Sequence, residues 1–252
     1  VVKAREVFMK LATNNWSMAE PGCLFWDRIK SWNMLSETKG FAFAGVNPCS
    51  EEPLPAGGSC LLGSLNLAAF VKDAFTDKAK FDFDDFAEAV RISVIGLNET
   101  LDEGLPLHPL EEQRIAVNDW RQIGLGIMGL ADMFIKLGIR YGSEESLALS
   151  KKISALMADV SIRTSALLAK ETGAYPKCDI DAILKTEYLH ANATPETIAL
   201  VKQFGLKNSQ ILTIAPTGSI GSMLGISTGI EPIYANSYIR KTETLHGKDT
   251  YY

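Results

Sequence analysis

The segment Asn47-Pro48-Cys49-Ser50-Glu51 sets one thiol between an amide two residues before it and a carboxylate two residues after it. A free cysteine is most often a small buried hydrophobe. Here the neighbours Pro48, Ser50, Glu51 and Glu52 are poor company for a core, so the loop is predicted to be a site with Asn47, Cys49 and Glu51 as its working groups. Nucleophilic chemistry of the Cys/His kind needs an imidazole within hydrogen-bond reach. His108 is the nearest of three histidines in sequence, and adjacent carboxylates hold a thiol in its neutral form. Hydrogen-atom transfer, which uses a neutral thiol, fits that setting better than hydrolysis. A hydrolase would show alkylation of Cys49 near neutral pH that depends on a histidine.

Cys60 follows eleven residues later, after Ala56-Gly57-Gly58-Ser59, where glycine gives backbone freedom beside a second thiol. Taken alone it is equally a packing residue or a reductant for the first site. A third candidate lies at Pro216, Thr217, Gly218, Ser219 and Ile220, directly after the apolar run Ile211–Ala215. A strand ending in a turn rich in hydroxyls and glycine, and opening a helix, presents free N–H groups to phosphate oxygens without needing lysine. Ordinary N-capping by Thr217 or Ser219 is the alternative, and the lack of a following Gly-Lys-Ser/Thr excludes a P-loop. Gly124-Leu125-Gly126-Ile127-Met128-Gly129 fits the dinucleotide pattern G-x-G-x-x-G, but the chain arrives through Asn118-Asp119-Trp120-Arg121-Gln122 rather than an apolar strand. Close backbone packing at a strand-to-helix turn explains these glycines better.

The elements that must position these groups alternate between helix and strand. Val2, Val7, Phe8 and Leu11 recur at helical spacing, and the chain then turns at Glu20-Pro21-Gly22. A short helix follows Leu24–Arg28, residues 39–63 are irregular, and Ser64–Phe70 is strand-like. Helices are predicted over Phe81–Thr100, over Ser143–Thr172 with Ile153, Leu156, Met157, Val160, Leu167 and Leu168 on one face and Gly173 as its stop, and over Pro195–Phe204. Ile211–Ala215 suits a buried strand. The pattern is that of an α/β fold with parallel pairing, and residues 1–252 show no linker or repeat that would divide them.

Composition narrows the function classes. The 252 residues are 46% hydrophobic, enough for a substantial core, and the net charge of -5 arises from 25 basic and 30 acidic residues mixed along the chain. No basic block points to nucleic acid or a membrane surface, and no run approaches the roughly 20 apolar residues that cross a bilayer. The start lacks the features of a signal peptide, so a cytoplasmic location is expected. Four cysteines (Cys23, Cys49, Cys60, Cys178) are too few for a disulfide framework, and no metal-ligand spacing occurs.

Four stretches together resemble the catalytic chain of the ribonucleotide reductases, in that family's order. They are Glu20–Arg28, Asn47–Glu51, Gly124–Asp132, and Pro216–Pro232 ending in Thr228-Gly229-Ile230-Glu231-Pro232. The resemblance implies an α/β fold that is part of a ten-stranded α/β barrel of two five-stranded halves, with a central finger loop carrying Cys49 into its middle. It implies that Cys49, as a thiyl radical, takes the ribose 3′ hydrogen. Glu51 would remove the 3′-hydroxyl proton, Asn47 would orient the ribose hydroxyls, and Pro216–Ile220 would bind the substrate phosphates. Cys60 would be the second redox cysteine, pairing with a cysteine in a part of the protein preceding Val1, and Cys23 and Cys178 would be left to packing.

The short interval between Cys49 and Cys60, and Leu245–Thr250, are similar to the adenosylcobalamin-dependent class. A diiron-partnered class I large subunit and a non-catalytic nucleotide-binding fragment are the alternatives. The implied partners are a ribonucleoside diphosphate, an external dithiol such as thioredoxin, the N-terminal part of the same protein, and a second copy in a homodimer. An isolated piece of such a barrel is expected to be inactive and to associate through exposed strand edges.

Overall fold

A computed structural model describes residues 2–233, 235–237, 239, 241–243 and 249–251. Helix α1 (Ala4–Met18) opens the chain, buries none of its residues, and ends where Ala19 turns left-handed at φ 58°. The short α2 (Trp26–Ser31) follows. Within the irregular 39–63 stretch, β1 (Gly45–Val46) and β2 (Pro53–Leu54) form an antiparallel hairpin, Gly45 opposite Leu54 and Val46 opposite Pro53. Strand β3 (Leu62–Asn66) begins before the expected Ser64 and stops short of Phe70. The Asn66 carboxamide oxygen accepts the Ala68 N–H and closes Leu67–Phe70 into a 3-10 turn, an instance of a short polar side chain competing with the strand ladder.

Strands β4 (Val71–Lys72) and β5 (Lys80–Phe81) pair antiparallel, which removes Phe81 from the predicted helix. Helix α3 therefore runs Phe83–Gly104, started by the Asp82 carboxylate accepting the Asp85 N–H at 3.0 Å. Helix α4 (Glu111–Trp120) was not foreseen, because only Ala116 and Val117 of its residues are buried and its apolar periodicity is weak. Then come β6 (Gly124–Met128), α5 (Leu130–Leu137) and the long α6 (Glu144–Thr172), which Ser143 caps rather than joins and which Gly173 stops as expected. Helices α7 (Ile180–Ile183), α8 (Glu187–Asn192), α9 (Pro195–Phe204) and α10 (Gly218–Leu224) lead to the antiparallel pair β7 (Lys241–Glu243) and β8 (Asp249–Tyr251).

The parallel arrangement expected from the sequence is present around β6. On one side β3 pairs with it in register, Leu62 opposite Gly124 through Asn66 opposite Met128. On the other, Leu125 bridges Leu212 in parallel, with the Leu125 N–H donating to the Ile211 carbonyl at 2.8 Å and the Thr213 N–H to the Leu125 carbonyl at 3.1 Å. Residues 211–215 thus pair through Leu212 rather than along a full strand. The glycine motif is itself the middle strand, not the turn after one. A Cβ on Gly124 would lie 2.7 Å from side-chain atoms of both Leu62 and Thr213, and one on Gly126 would overlap the Thr213 carbonyl oxygen. Only Gly129, at φ 70°, makes the turn into α5. Among the described residues the strands do not close into a barrel.

Helix α3 packs on β3, α6 packs on α3, and α9 packs on α6. Phe86, Val90, Val94 and Leu101 of α3 are buried with Ile153, Met157 and Ile162 of α6 and Val201 of α9. On α6 the predicted face holds for Ile153 and Met157, with Leu156, Val160 and Leu168 partly buried. Leu167 is 38% exposed, and Ser161, Ser165 and Ala166 take the buried positions because α3, α8 and α9 all pack on this helix. A polar network threads the core. Asn98 and Asn208 exchange side-chain hydrogen bonds of 3.0 and 2.9 Å, and Asn208 also donates to the Arg121 carbonyl and accepts from Ser165.

The tight contact at Gly126 yields a stability prediction. Gly126→Ala should cost about 1–3 kcal/mol by overpacking against the neighbouring backbone. Gly96→Ala, at an open position on α3, should instead stabilise by roughly 0.5–1 kcal/mol. Urea denaturation of both variants measures the contrast.

Candidate active site

Asn47 organises the hairpin loop that carries the first candidate thiol. Its carboxamide oxygen accepts the Glu52 N–H at 3.0 Å, its backbone N–H donates to the Glu52 carbonyl, and its carbonyl accepts the Ser50 N–H at 2.9 Å. Ser50 sits at φ 70° to complete the turn. Cys49 is held at the exposed tip, and no described residue accepts from the Asn47 amide nitrogen. The loop is anchored from below, since the Thr213 hydroxyl donates to the Glu51 carbonyl at 2.6 Å.

Glu52 departs from the sequence expectation. It was counted among the polar residues that keep the loop out of a core, yet it is only 2% exposed. It lies under the hairpin against β6, one carboxylate oxygen 3.4 Å from where a Gly124 Cβ would stand. Neither of its oxygens, nor one oxygen of Glu51, has a hydrogen-bond partner among the described residues. Burial foremost, with the charge of Glu51 adding, drives the Glu52 carboxyl up from 4.5 to about 7, and the Cys60 thiol beside it moderates the rise. Although Cys60 is exposed as a residue, burial of its thiol foremost, then Glu52, Glu51 and Cys49, pushes it up in turn to about 12. The carboxyl and the thiol are close enough to shift each other, and neither Glu52 oxygen makes a regular hydrogen bond. Asn47, Cys49, Glu51 and Cys60 therefore converge, with Glu52 as a fifth member. Two adjacent carboxylates in one loop were the available signal for it, because both cannot be buried and ionised together.

The second candidate loop joins the first through Thr213, about 10 Å of extended chain before Pro216. Thr217 stands at the N-cap of α10 at φ 53°, but its hydroxyl accepts the Gly229 N–H at 2.7 Å and does not cap the helix. Neither Thr217 nor Ser219 is thus the N-capping residue that the alternative required. Gly218, Ser219 and Ile220 are exposed in the first turn. The remaining family-like stretches are tied in as well. Asp132 accepts the Ser227 N–H at 2.6 Å, and the Gly129 N–H donates to the Ser227 carbonyl. Trp26 stacks edge-on against Phe43, just before the hairpin.

Of the two cysteines assigned to packing, Cys178 fits, half-buried beside Tyr175 and Gly205. Cys23 does not, since it is exposed in the open stretch before α2. No group of acidic, histidine or cysteine side chains among the described residues forms a metal site, and no described helix is long and apolar enough to cross a membrane. A cleft of about 530 Å³ lies between α2 and residues 209–212, and another of about 460 Å³ beside Pro106 and Arg114. Neither has Cys49 in its lining, so the described residues do not by themselves hold a corrin ring against that sulfur. Residues 245–248 of the cobalamin-like stretch lie outside the described residues.

Comparison with known proteins places this arrangement. A profile of the ribonucleotide reductase barrel domain matches residues 1–250. The chain belongs to that family. A vitamin B12-dependent ribonucleoside-diphosphate reductase of Thermoplasma acidophilum is 34% identical over 248 residues, covering 98% of this chain and 29% of that protein. One of the same description from Mycobacterium tuberculosis is 32% identical over 243 residues, covering 96% of this chain and 31% of its own length. The chain thus spans about 30% of these reductases. In fold it is similar to the α subunit of the Actinobacillus ureae class Id ribonucleotide reductase, with a TM-score of 0.70 at 22% identity over 92% of this chain and 40% of that one.

The buried carboxyl has a pH signature. A folded-state value above the unfolded one means that the native protein holds this proton more tightly. The stability tied to Glu52 is therefore intact below pH 4.5 and is lost as pH rises through about 7. Its size is on the order of 3 kcal/mol. Glu52→Gln should remove this component, so the difference in denaturation midpoint between variant and parent should grow across that window and level off above it.

Proposed function

We propose that this chain is a single piece of the barrel of an adenosylcobalamin-dependent ribonucleoside-diphosphate reductase, which converts ribonucleotides to 2′-deoxyribonucleotides for DNA synthesis. The observation that carries the proposal is the Thr213 bridge, which ties the Cys49 loop to the strand that delivers Pro216–Ile220. One rigid connection then sets the distance between the reacting thiol and the phosphate anchor, which is what a positioned reaction requires. Cobalamin dependence and the diphosphate substrate rest on the descriptions of the relatives, and the dithiol reductant on the resemblance of the sequence motifs alone.

In this assignment Cys49 carries the radical and removes the ribose 3′ hydrogen. Asn47 uses its carboxamide oxygen to hold the loop and keeps its NH₂ to donate to a ribose hydroxyl. Glu51, with one oxygen buried and unpartnered among the described residues, takes the 3′-hydroxyl proton. The exposed first turn of α10, at Gly218, Ser219 and Ile220, binds phosphate oxygens, with Pro216 and Thr217 fixing the turn. Cys60 forms a disulfide with a cysteine from a more N-terminal part of the protein, and that disulfide is reopened by an external dithiol such as thioredoxin. The exposed tip at Cys49 would be covered by that other part of the barrel, shielding the radical from solvent.

In the full-length protein, Cys49→Ser should abolish both deoxyribonucleotide formation and exchange of the 3′ hydrogen. Cys60→Ser should lose multiple turnover while retaining at most one. Product formation by Cys49→Ser, measured with adenosylcobalamin and a dithiol present, would refute the assignment.

A further inference from the structure

Under the hairpin, the mechanism above leaves one buried group without a task. Glu52 is 2% exposed, and both its oxygens lack partners among the described residues. Isolated buried carboxyls are costly, and this one adjoins a thiol that must change its protonation state in every cycle. The groups facing it are Glu51 on its own loop and Cys60 on the next segment. From β6 it faces Gly124, which brings no charge. Among the described residues no cation neutralises it, so the proton is its available counter-charge.

Cys60 presents the matching problem. Thiol–disulfide exchange slows as the departing thiol becomes more basic. A sulfur that leaves as a thiolate with a value of about 12 is a poor leaving group unless it is protonated as it departs. Glu52, near 7, is still protonated in about half of the molecules at neutral pH and sits beside that sulfur. We propose that Glu52 is the proton partner of Cys60, donating to its sulfur when the disulfide is reduced and accepting that proton when the disulfide forms.

The step balances. One thiolate of the external dithiol attacks the sulfur of Cys60's disulfide partner, the protein S–S bond breaks, and Cys60 leaves with the electron pair and takes the Glu52 proton. The second thiol of the reductant then displaces the partner cysteine, which leaves two protein thiols and the oxidised reductant. Glu52 is left as a carboxylate, ready to take that proton back. In the oxidising direction the Cys60 proton passes to Glu52 as its sulfur joins the disulfide, and the two electrons released by the cysteine pair go to the substrate's 2′ carbon.

This inference rests on the redox role assigned to Cys60, and the experiment separates the two. Full-length enzyme would be oxidised by one turnover, and the rate at which a dithiol restores its thiols would be followed from pH 5.5 to 9 for the parent and for Glu52→Gln, on the order of the window over which such a carboxyl titrates. The reductant's own titration is common to both proteins, so the ratio of rates isolates Glu52. We expect the variant to be about 100-fold slower below pH 7, with the ratio shrinking above it as the parent loses the Glu52 proton. A ratio that is constant with pH, or equal to one, overturns the proton role, since a merely structural effect would not titrate. Multiple turnover by Cys60→Ser overturns the redox assignment beneath it. Should Glu52→Gln fail to fold, infrared spectroscopy of the parent serves instead. A protonated carboxyl band that fades near pH 7 and shifts when Cys60 is alkylated is expected, and its absence is equally decisive.

Discussion

The close approach of β6 to the Thr213 backbone is the constraint from which the rest of the molecule follows. Gly126 has no room for a Cβ beside the Thr213 carbonyl, and Gly124 fits between Leu62 and Thr213 only without a side chain. The absence of two side chains lets β3, β6 and the 211–215 segment lie as parallel neighbours. Thr213 then presents its hydroxyl to the Glu51 carbonyl, so a contact needed for packing also sets the height of the hairpin over the layer. Chemistry and fold share one residue here, and neither loop can be moved without the other.

The site built on that layer is electrostatically severe. Glu51 and Glu52 enter it side by side, and the environment separates them. Glu51 retains partial exposure, while Glu52 is driven under the hairpin where water cannot solvate its charge. Glu52 is thereby set apart as the carboxyl of the pair that takes a proton near neutrality. The nearby thiol follows the same logic. Burial first, and its negative neighbours next, keep Cys60 neutral.

Much of this was legible from residue types, and the failures have physical causes. The Cys49 loop, the thiol at Cys60 and the turn at Pro216–Ile220 could be located because polar and glycine residues cluster where an apolar pattern stops. Helices α6 and α9 were bounded closely because Ser143, Thr194 and Gly173 mark their ends. Other assignments turn on partners distant in sequence. The burial of Glu52 depends on β6, and the strand character of Gly124–Met128 depends on neighbours that accept a glycine-rich backbone. Leu167 looked like core and is exposed, because a helix packed by several others buries small residues such as Ser161 and Ala166 instead. Phe81 was lost to a strand whose partner, Val71, lies across a turn that periodicity does not see.

The amide pair at the centre of the core has a consequence for how the chain reaches this state. Asn98 and Asn208 stand 110 residues apart in sequence and satisfy each other's carboxamides. A collapsed intermediate that brings α3 against the wrong segment would bury one or both amides with nothing to bond, at a penalty of about 1–3 kcal/mol each. Leucines in their place would reward almost any apolar neighbour. The pair therefore acts as a proofreading device for topology, rejecting misassembled chains by their unmet hydrogen bonds.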